Sequence, residues 1–243
     1  MLAMNVARRP LFVKICCITS QQEADLAIAA GADALGLVSH MPSGPGVIDE
    51  GVIAHIAKSV AQISAQAMTH DGSAKPIQTF LLTARQTAQS IVQQHIQCQT
   101  THIQLVDAVA PSELLALRHH LPRVKLVQVI HVLNETSYHQ AMAVAPMVDL
   151  LLLDSGNPNL NVKELGGTGR THDWKISAQI VDNSPVPVLL AGGLNPENAA
   201  DAVQTVRPHG LDICSGVRGS RADGGLLDGA KLTEFIRAAR SAS

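Results

Sequence analysis

No stretch of this sequence approaches the roughly 18 uninterrupted apolar residues that a membrane-spanning helix needs, and its first ten residues carry no apolar core of signal-peptide length. The net charge is only −2, which leaves no basic footprint for nucleic acid or anionic lipid. Charged residues make up 16% of the chain against 46% hydrophobic, a balance that excludes extended disorder. The four cysteines, Cys16, Cys17, Cys98 and Cys214, follow no metal-ligand spacing, so no metal site is expected and a reduced cytoplasmic setting fits. The eleven histidines are scattered, and solvated surface is the default reading for them. A small neutral-to-anionic molecule is the partner class left open.

What is present is length enough for one full core. At 243 residues the chain sits near the roughly 250 of a single eight-fold β/α barrel. Apolar, strand-like runs recur eight times, at 11–16, 34–38, 77–82, 101–105, 124–130, 148–154, 186–190 and 211–215. Between them lie helical stripes: Ile53, Ile56, Ala57 and Val60; Ala199, Ala202, Val203 and Val206; Leu232, Phe235, Ile236 and Ala239. Pro111-Ser112-Glu113 and Asn195-Pro196 read as helix starts. Near-continuous apolar strands alternating with amphipathic helices predict a parallel sheet covered by helices, and eight repeats favour closure. The expected fold is therefore α/β, a single (β/α)8 TIM barrel over 11–243 behind a short disordered extension, 1–10.

In such barrels the chemistry sits just past the strands. Cys16 ends the first run, and Asp154 ends the sixth after four leucines, where a carboxyl needs a partner or a function. Period-two alternation puts Lys14 on the face of Cys16 and sends Cys17 toward the helix layer as filler; Cys98 reads as part of a polar connection and Cys214 as core. Glycine marks three late loops: 166–171, with Gly167, Thr168 and Gly169; Gly192-Gly193; and Ser215-Gly216. Glycines let backbone N–H groups approach an anion closely, so these residues are candidate phosphate ligands.

The run Lys14-Ile15-Cys16-Cys17-Ile18-Thr19 resembles the K-I-C-G-I-T end of the first strand in phosphoribosylanthranilate isomerases, with Cys17 in place of the family's glycine. Leu151-Leu152-Leu153-Asp154-Ser155 resembles the L-L-L-D-S end of their sixth strand, and the likeness continues through 30–38, 166–174, 190–198 and 207–216. It covers about 13–237. The resemblance implies a cytoplasmic tryptophan-pathway enzyme, monomer or homodimer, that converts an aldose N-glycoside phosphate into a 1-amino-1-deoxyketose phosphate by an Amadori rearrangement. It further implies Cys16 as general base, Asp154 as general acid, Asp212 as a substrate contact, the glycine loops as the phosphate grip, and no metal or organic cofactor. Opening the furanose takes a proton on the ring oxygen, a task for a protonated carboxyl; moving the C2 proton takes a base, which a thiolate assisted by Lys14 suits.

Departures cluster at the other end of the ligand. The family's F-Y-P-P-S-P-R-Y after the second strand reads Ser39-His40-Met41-Pro42-Ser43-Gly44-Pro45-Gly46, with Pro45 where an arginine grips the anthranilate carboxylate. The histidine of V-Q-L-H-G is replaced by Val106, and S-G-V-E becomes Ser215-Gly216-Val217-Arg218. Arg218 and His40 are thus candidates for a relocated cation. Two alternatives stand beside the isomerase: a paralogue acting on a different aminoribose phosphate, and a non-catalytic sugar-phosphate-binding barrel.

Overall fold

The computed structural model describes residues 10–70, 75–160, 163, 165, 171–220 and 225–243. Of the expected N-terminal extension only Pro10 is among them. The strands are β1 (Phe12–Ile15), β2 (Ala34–Val38), β3 (Gln78–Thr83), β4 (His102–Leu105), β5 (Lys125–His131), β6 (Leu150–Asp154), β7 (Val188–Leu190) and β8 (Gly210–Ile213). Each pairs in parallel with the next, and β8 pairs with β1, so the sheet closes into the expected barrel. The helices are α1 (Gln21–Ala29), α2 (Glu50–His70), α3 (Ala88–Cys98), α4 (Pro111–His120), α5 (Thr136–Val144), α6 (Trp174–Asn183), α7 (Ala199–Val206) and α8 (Gly229–Ser241). Among the described residues, no helix is long and apolar enough to cross a membrane.

The stripes read from the sequence are the faces that bury. All four named residues of each helix, including Ile53 and Ile56 of α2, Val206 of α7 and Phe235 of α8, lie in the layer between strands and helices. Capping fixes where helices begin: Ser20, Thr87, Asp173 and Asp228 each accept a backbone N–H of the first turn. Pro111 opens α4 as expected. The start at Asn195-Pro196 is displaced: α7 begins at Ala199, because the Asn195 and Asn198 side chains each accept the other's backbone N–H (2.9 and 2.8 Å) and close a turn first. Cys98 ends α3 fully buried in the core rather than lying in a polar connection, and Trp174 opens α6 against that core.

Inward-facing residues fill the barrel in layers. Lys14 lies there with no exposed surface, its ammonium 2.8 Å from Asp212 and 5.3 Å from the centre of the Phe80 ring. His102 stacks on Phe80 (4.2 Å, 7°), and burial pushes its pKa down to about 4, so it packs as a neutral ring. The polar interior therefore begins below the mouth and leads up to it.

Candidate active site

At the C-terminal end of the barrel one cavity is lined by Cys16, Cys17, Asp154, Asp212, Gly192, Gly193, Cys214 and Ser215, together with Val38, Met41, Pro45, Leu82, Gln104 and Leu165. Its lining combines apolar side chains with a few converging polar groups, as small-molecule sites do. Cys16 follows β1 directly, its N–H bonded to the carbonyl of Ile213 at 2.7 Å. Asp154 ends β6, and its Oδ1 accepts the N–H of Ser155 at 2.7 Å. The two residues singled out in the sequence thus share a cavity.

Their environments shift them in useful directions. The Cys17 thiol donating toward Cys16 lowers its pKa; burial opposes this, and the Lys14 ammonium adds to the lowering. Burial raises Asp154, against the opposing pull of the Ser155 N–H and the nearby His131. A thiol that ionises more readily and a carboxyl that keeps its proton longer have the properties that base and acid chemistry in one site requires. Gly36 makes the first of these possible: a Cβ built on it would stand 2.8 Å from Cys16 Sγ and 3.0 Å from Lys14 Nζ, so only glycine lets these groups gather on the β2 side.

Lys14 and Asp212 hold each other. Burial lowers the lysine, but Asp212 and Cys16 outweigh it and the ammonium is kept; burial raises Asp212, partly offset by Lys14. Asp212 lines the cavity, and its Oδ1 is buried with no hydrogen-bond partner among the described residues. The two loops expected to grip phosphate, after β7 and β8, are in contact. Gly192 and Gly193 adopt positive φ (86° and 62°), and a Cβ on Gly216 would fall 2.0 Å from the carbonyl oxygen of Leu194. Among the described residues, the N–H groups of Gly192 and Gly193 have no backbone carbonyl partner. Gly167, Thr168 and Gly169 lie outside the described residues.

Several expectations are corrected. Cys17 is not filler in the helix layer: the strand ends at Ile15, the chain turns through a left-handed φ of 62° at Cys17, and the side chain enters the cavity. Cys214, half-buried and packed against the core cluster of the barrel interior, lines the cavity as well. Arg218 does not line it. Its guanidinium grips Glu23 in a two-pronged pair (2.7 and 3.0 Å), and it donates to the carbonyls of Gly225 (3.0 Å) and Cys17. His40 is exposed beyond the rim and is not a lining residue either. Neither side chain therefore faces the cavity.

Sequence reasoning missed three groups. His131, assigned by default to the surface, is buried beside Asp154 in the β5–β6 register; its Nε2 bonds to the carbonyl of Val106 at 3.0 Å, and its Nδ1 has no partner among the described residues. Lys163 pairs with Asp107 and receives a hydrogen bond from Ser43 on its carbonyl, which ties together the loops after β2, β4 and β6. Asp107 and Lys163 stand far apart in sequence, whereas His131 directly follows an apolar run, the same position that marked Asp154. Among the described residues, no cluster of His, Cys, Asp and Glu could hold a metal ion.

Residues 13–238 match the family model described as N-(5'-phosphoribosyl)anthranilate (PRA) isomerase. The chain is 33% identical to an N-(5'-phosphoribosyl)anthranilate isomerase of Haloarcula marismortui over 231 residues, 95% of this chain and 96% of the relative. It is 31% identical to N-(5'-phosphoribosyl)anthranilate isomerase 2 of Methanosarcina mazei, with 94% of each covered. Among solved structures, the phosphoribosyl anthranilate isomerase of Thermotoga maritima superposes with a TM-score of 0.74 at 25% identity, covering 95% of this chain and 99% of that one.

Proposed function

The chain belongs to the N-(5'-phosphoribosyl)anthranilate isomerase family and carries out its aldose-to-ketose isomerisation in tryptophan biosynthesis; from that premise we propose that Cys16 is the general base and Asp154 the general acid. The observation that carries this assignment is their convergence on one cavity with a lowered thiol and a raised carboxyl. Asp154 delivers its proton to the ring oxygen of the ribofuranose as the C1–O bond breaks, leaving an iminium between C1 and the amine. The Cys16 thiolate then takes the C2 proton, and the electron pair moves toward the iminium to give an enolamine, which tautomerises to the aminoketose. Asp212 Oδ1 accepts a sugar hydroxyl, Lys14 holds Asp212 and favours the thiolate, and the amides after β7 and β8 bind the 5'-phosphate. The ligand is a small phosphorylated sugar amine handled in a soluble, cytoplasmic setting.

The test is rescue of a tryptophan-requiring strain that lacks this isomerase, coupled to kinetics on the purified protein. Wild type restores growth, while Cys16→Ala and Asp154→Asn each lower turnover by at least about a hundredfold, as loss of a general acid or base requires, with melting temperatures near wild type. Turnover within a few-fold of wild type in either variant removes that residue from the mechanism.

One observation supports a second reading of the amine. Pro45 lines the cavity beside Met41, Leu82 and Leu165, and among the described residues no Lys, Arg or His side chain does. An ortho carboxylate there lacks a charge-assisted contact of about 1.5–3 kcal/mol, roughly ten- to a hundredfold in affinity. Comparing kcat/KM on substrates with and without that carboxylate decides: preference for the carboxylate-free amine supports the paralogue.

A further inference from the structure

Cys17 stands where glycine is the family's residue, and it adopts the left-handed conformation that glycine enters freely and a side chain enters only at a cost. The turn is pinned from both sides. Arg218 donates to the Cys17 carbonyl, and Gly46 of the loop after β2 packs so close that a Cβ on it would stand 2.5 Å from Cys17 Cβ. The strained residue thereby presents its thiol to the cavity that Cys16 and Cys214 also line. β1 and β8 are neighbours with Ile15 opposite Ile213, so Cys16 and Cys214 follow at matching positions, and the Cys17 thiol interacts with both. The isomerisation itself uses only one of these three sulfurs.

The property that fits Cys16 for proton transfer also exposes it to attack, because a thiolate in an open cavity is the form that reacts with hydroperoxides. We propose that Cys17 is a resolving thiol, so that a hydroperoxide entering the barrel mouth yields a reversible Cys16–Cys17 disulfide instead of an irreversibly over-oxidised catalytic sulfur. The steps balance. The Cys16 thiolate attacks the peroxide, the O–O bond breaks, and the sulfur, oxidised by two electrons, becomes a sulfenic acid while the distal oxygen leaves as alkoxide or hydroxide. Cys17 then attacks the sulfenic sulfur, the S–S bond forms, and the oxygen leaves with the Cys17 proton as water. Cys17 keeps its proton beforehand, because its thiol interacts with the Cys16 and Cys214 sulfurs in a buried setting; oxidation of Cys16 removes the thiolate charge beside it and frees Cys17 to react. Adjacent cysteines close a strained eight-membered ring, which a dithiol reductant reopens readily.

The proposal rests on Cys16 being the base, and the experiment separates the two ideas by reading sulfur chemistry by mass and function by rate. Purified protein is treated with hydrogen peroxide, then with dithiothreitol, and each variant is compared with its own untreated activity. Wild type should lose two hydrogens from the peptide holding both cysteines, lose activity, and recover most of it on reduction. Cys17→Gly, which suits the positive φ, should gain two or three oxygens on Cys16 and recover at least about fivefold less of its activity, because the sulfinic and sulfonic forms resist thiols. Cys214→Ser should recover as wild type does. Equal recovery in Cys17→Gly, sulfinic Cys16 beside free Cys17 in wild type, or lost recovery in Cys214→Ser each overturns the resolving role. A mapped Cys16–Cys17 disulfide with full activity upholds the thiol chemistry and removes Cys16 as the base.

Discussion

Replacing Arg218 with alanine separates a bracing role from a substrate contact. The guanidinium and the Glu23 carboxylate are 13% and 7% exposed, and the same carboxylate also accepts the N–H groups of Thr19 (2.9 Å) and Leu227 (3.0 Å). Removing the arginine leaves a buried carboxylate without its cation and deprives the Gly225 and Cys17 carbonyls of a donor. Breaking a buried pair from one side costs about 3–5 kcal/mol. For a chain of this size each kcal/mol moves the melting temperature by about 2–4 °C, so a fall of about 6–20 °C is expected. Adding Glu23→Gln should return part of it, since removing both charges is far less costly than removing one. The pH dependence has a definite sign: burial raises Glu23, but Arg218 and the backbone donors outweigh it and the net shift is downward. Its stabilisation is therefore complete above the ordinary carboxylate range and fades as pH falls through the lowered folded value, so the variant's deficit shrinks in acid. Calorimetry supplies the stability, and kinetics well below the melting temperature supply the function, where KM should stay within about threefold because the side chain does not face the cavity. A wild-type melting temperature with a KM raised more than tenfold would show that Arg218 holds substrate and defeat this account.

Activity should appear as pH rises through the lowered Cys16 value and decline as Asp154 loses its proton above its raised one; Cys17→Gly should move the rising limb to higher pH, and an unmoved limb would remove Cys17 as the cause of the shift. Inorganic phosphate should bind the β7 and β8 loops and raise the melting temperature, by about 2.7 kcal/mol of added stability at a hundred times its Kd. Gly193→Ala should cut that ligand-induced increment, and an equal increment in the variant would place the anion elsewhere. Gly36→Ala puts a methyl 2.8 Å from Cys16 Sγ and 3.1 Å from its Cα; overpacking of about 1–3 kcal/mol should accompany a drop in kcat with KM little changed, and wild-type turnover would show that the strand yields.

The sequence was legible wherever a rule with a fixed period applied and illegible one residue beyond. Strand-like runs located all eight strands, and helical stripes named the buried faces, because both follow from backbone geometry that repeats. Cys17 was misplaced because period-two alternation was carried past Ile15, where the strand had ended and φ had changed sign. Arg218 was misread for a different reason: its partner Glu23 lies 195 positions away, and only closure of β8 onto β1 brings them together. A charged residue in a mouth loop looks like a ligand until such a partner is found. His131 is the instructive case between these, since the position that selected Asp154, the end of an apolar run, also selects His131, and the default for a scattered histidine overrode it. Burial beside Asp154 follows from the β5–β6 register, so the end of every run deserves the same weight whatever residue stands there. On that rule Cys16 just past β1, His131 on β5, Asp154 on β6 and Asp212 on β8 are read together, and the charges that act on Asp154 come from His131, Asp212 and Lys14 within this same set of strand ends and their neighbours.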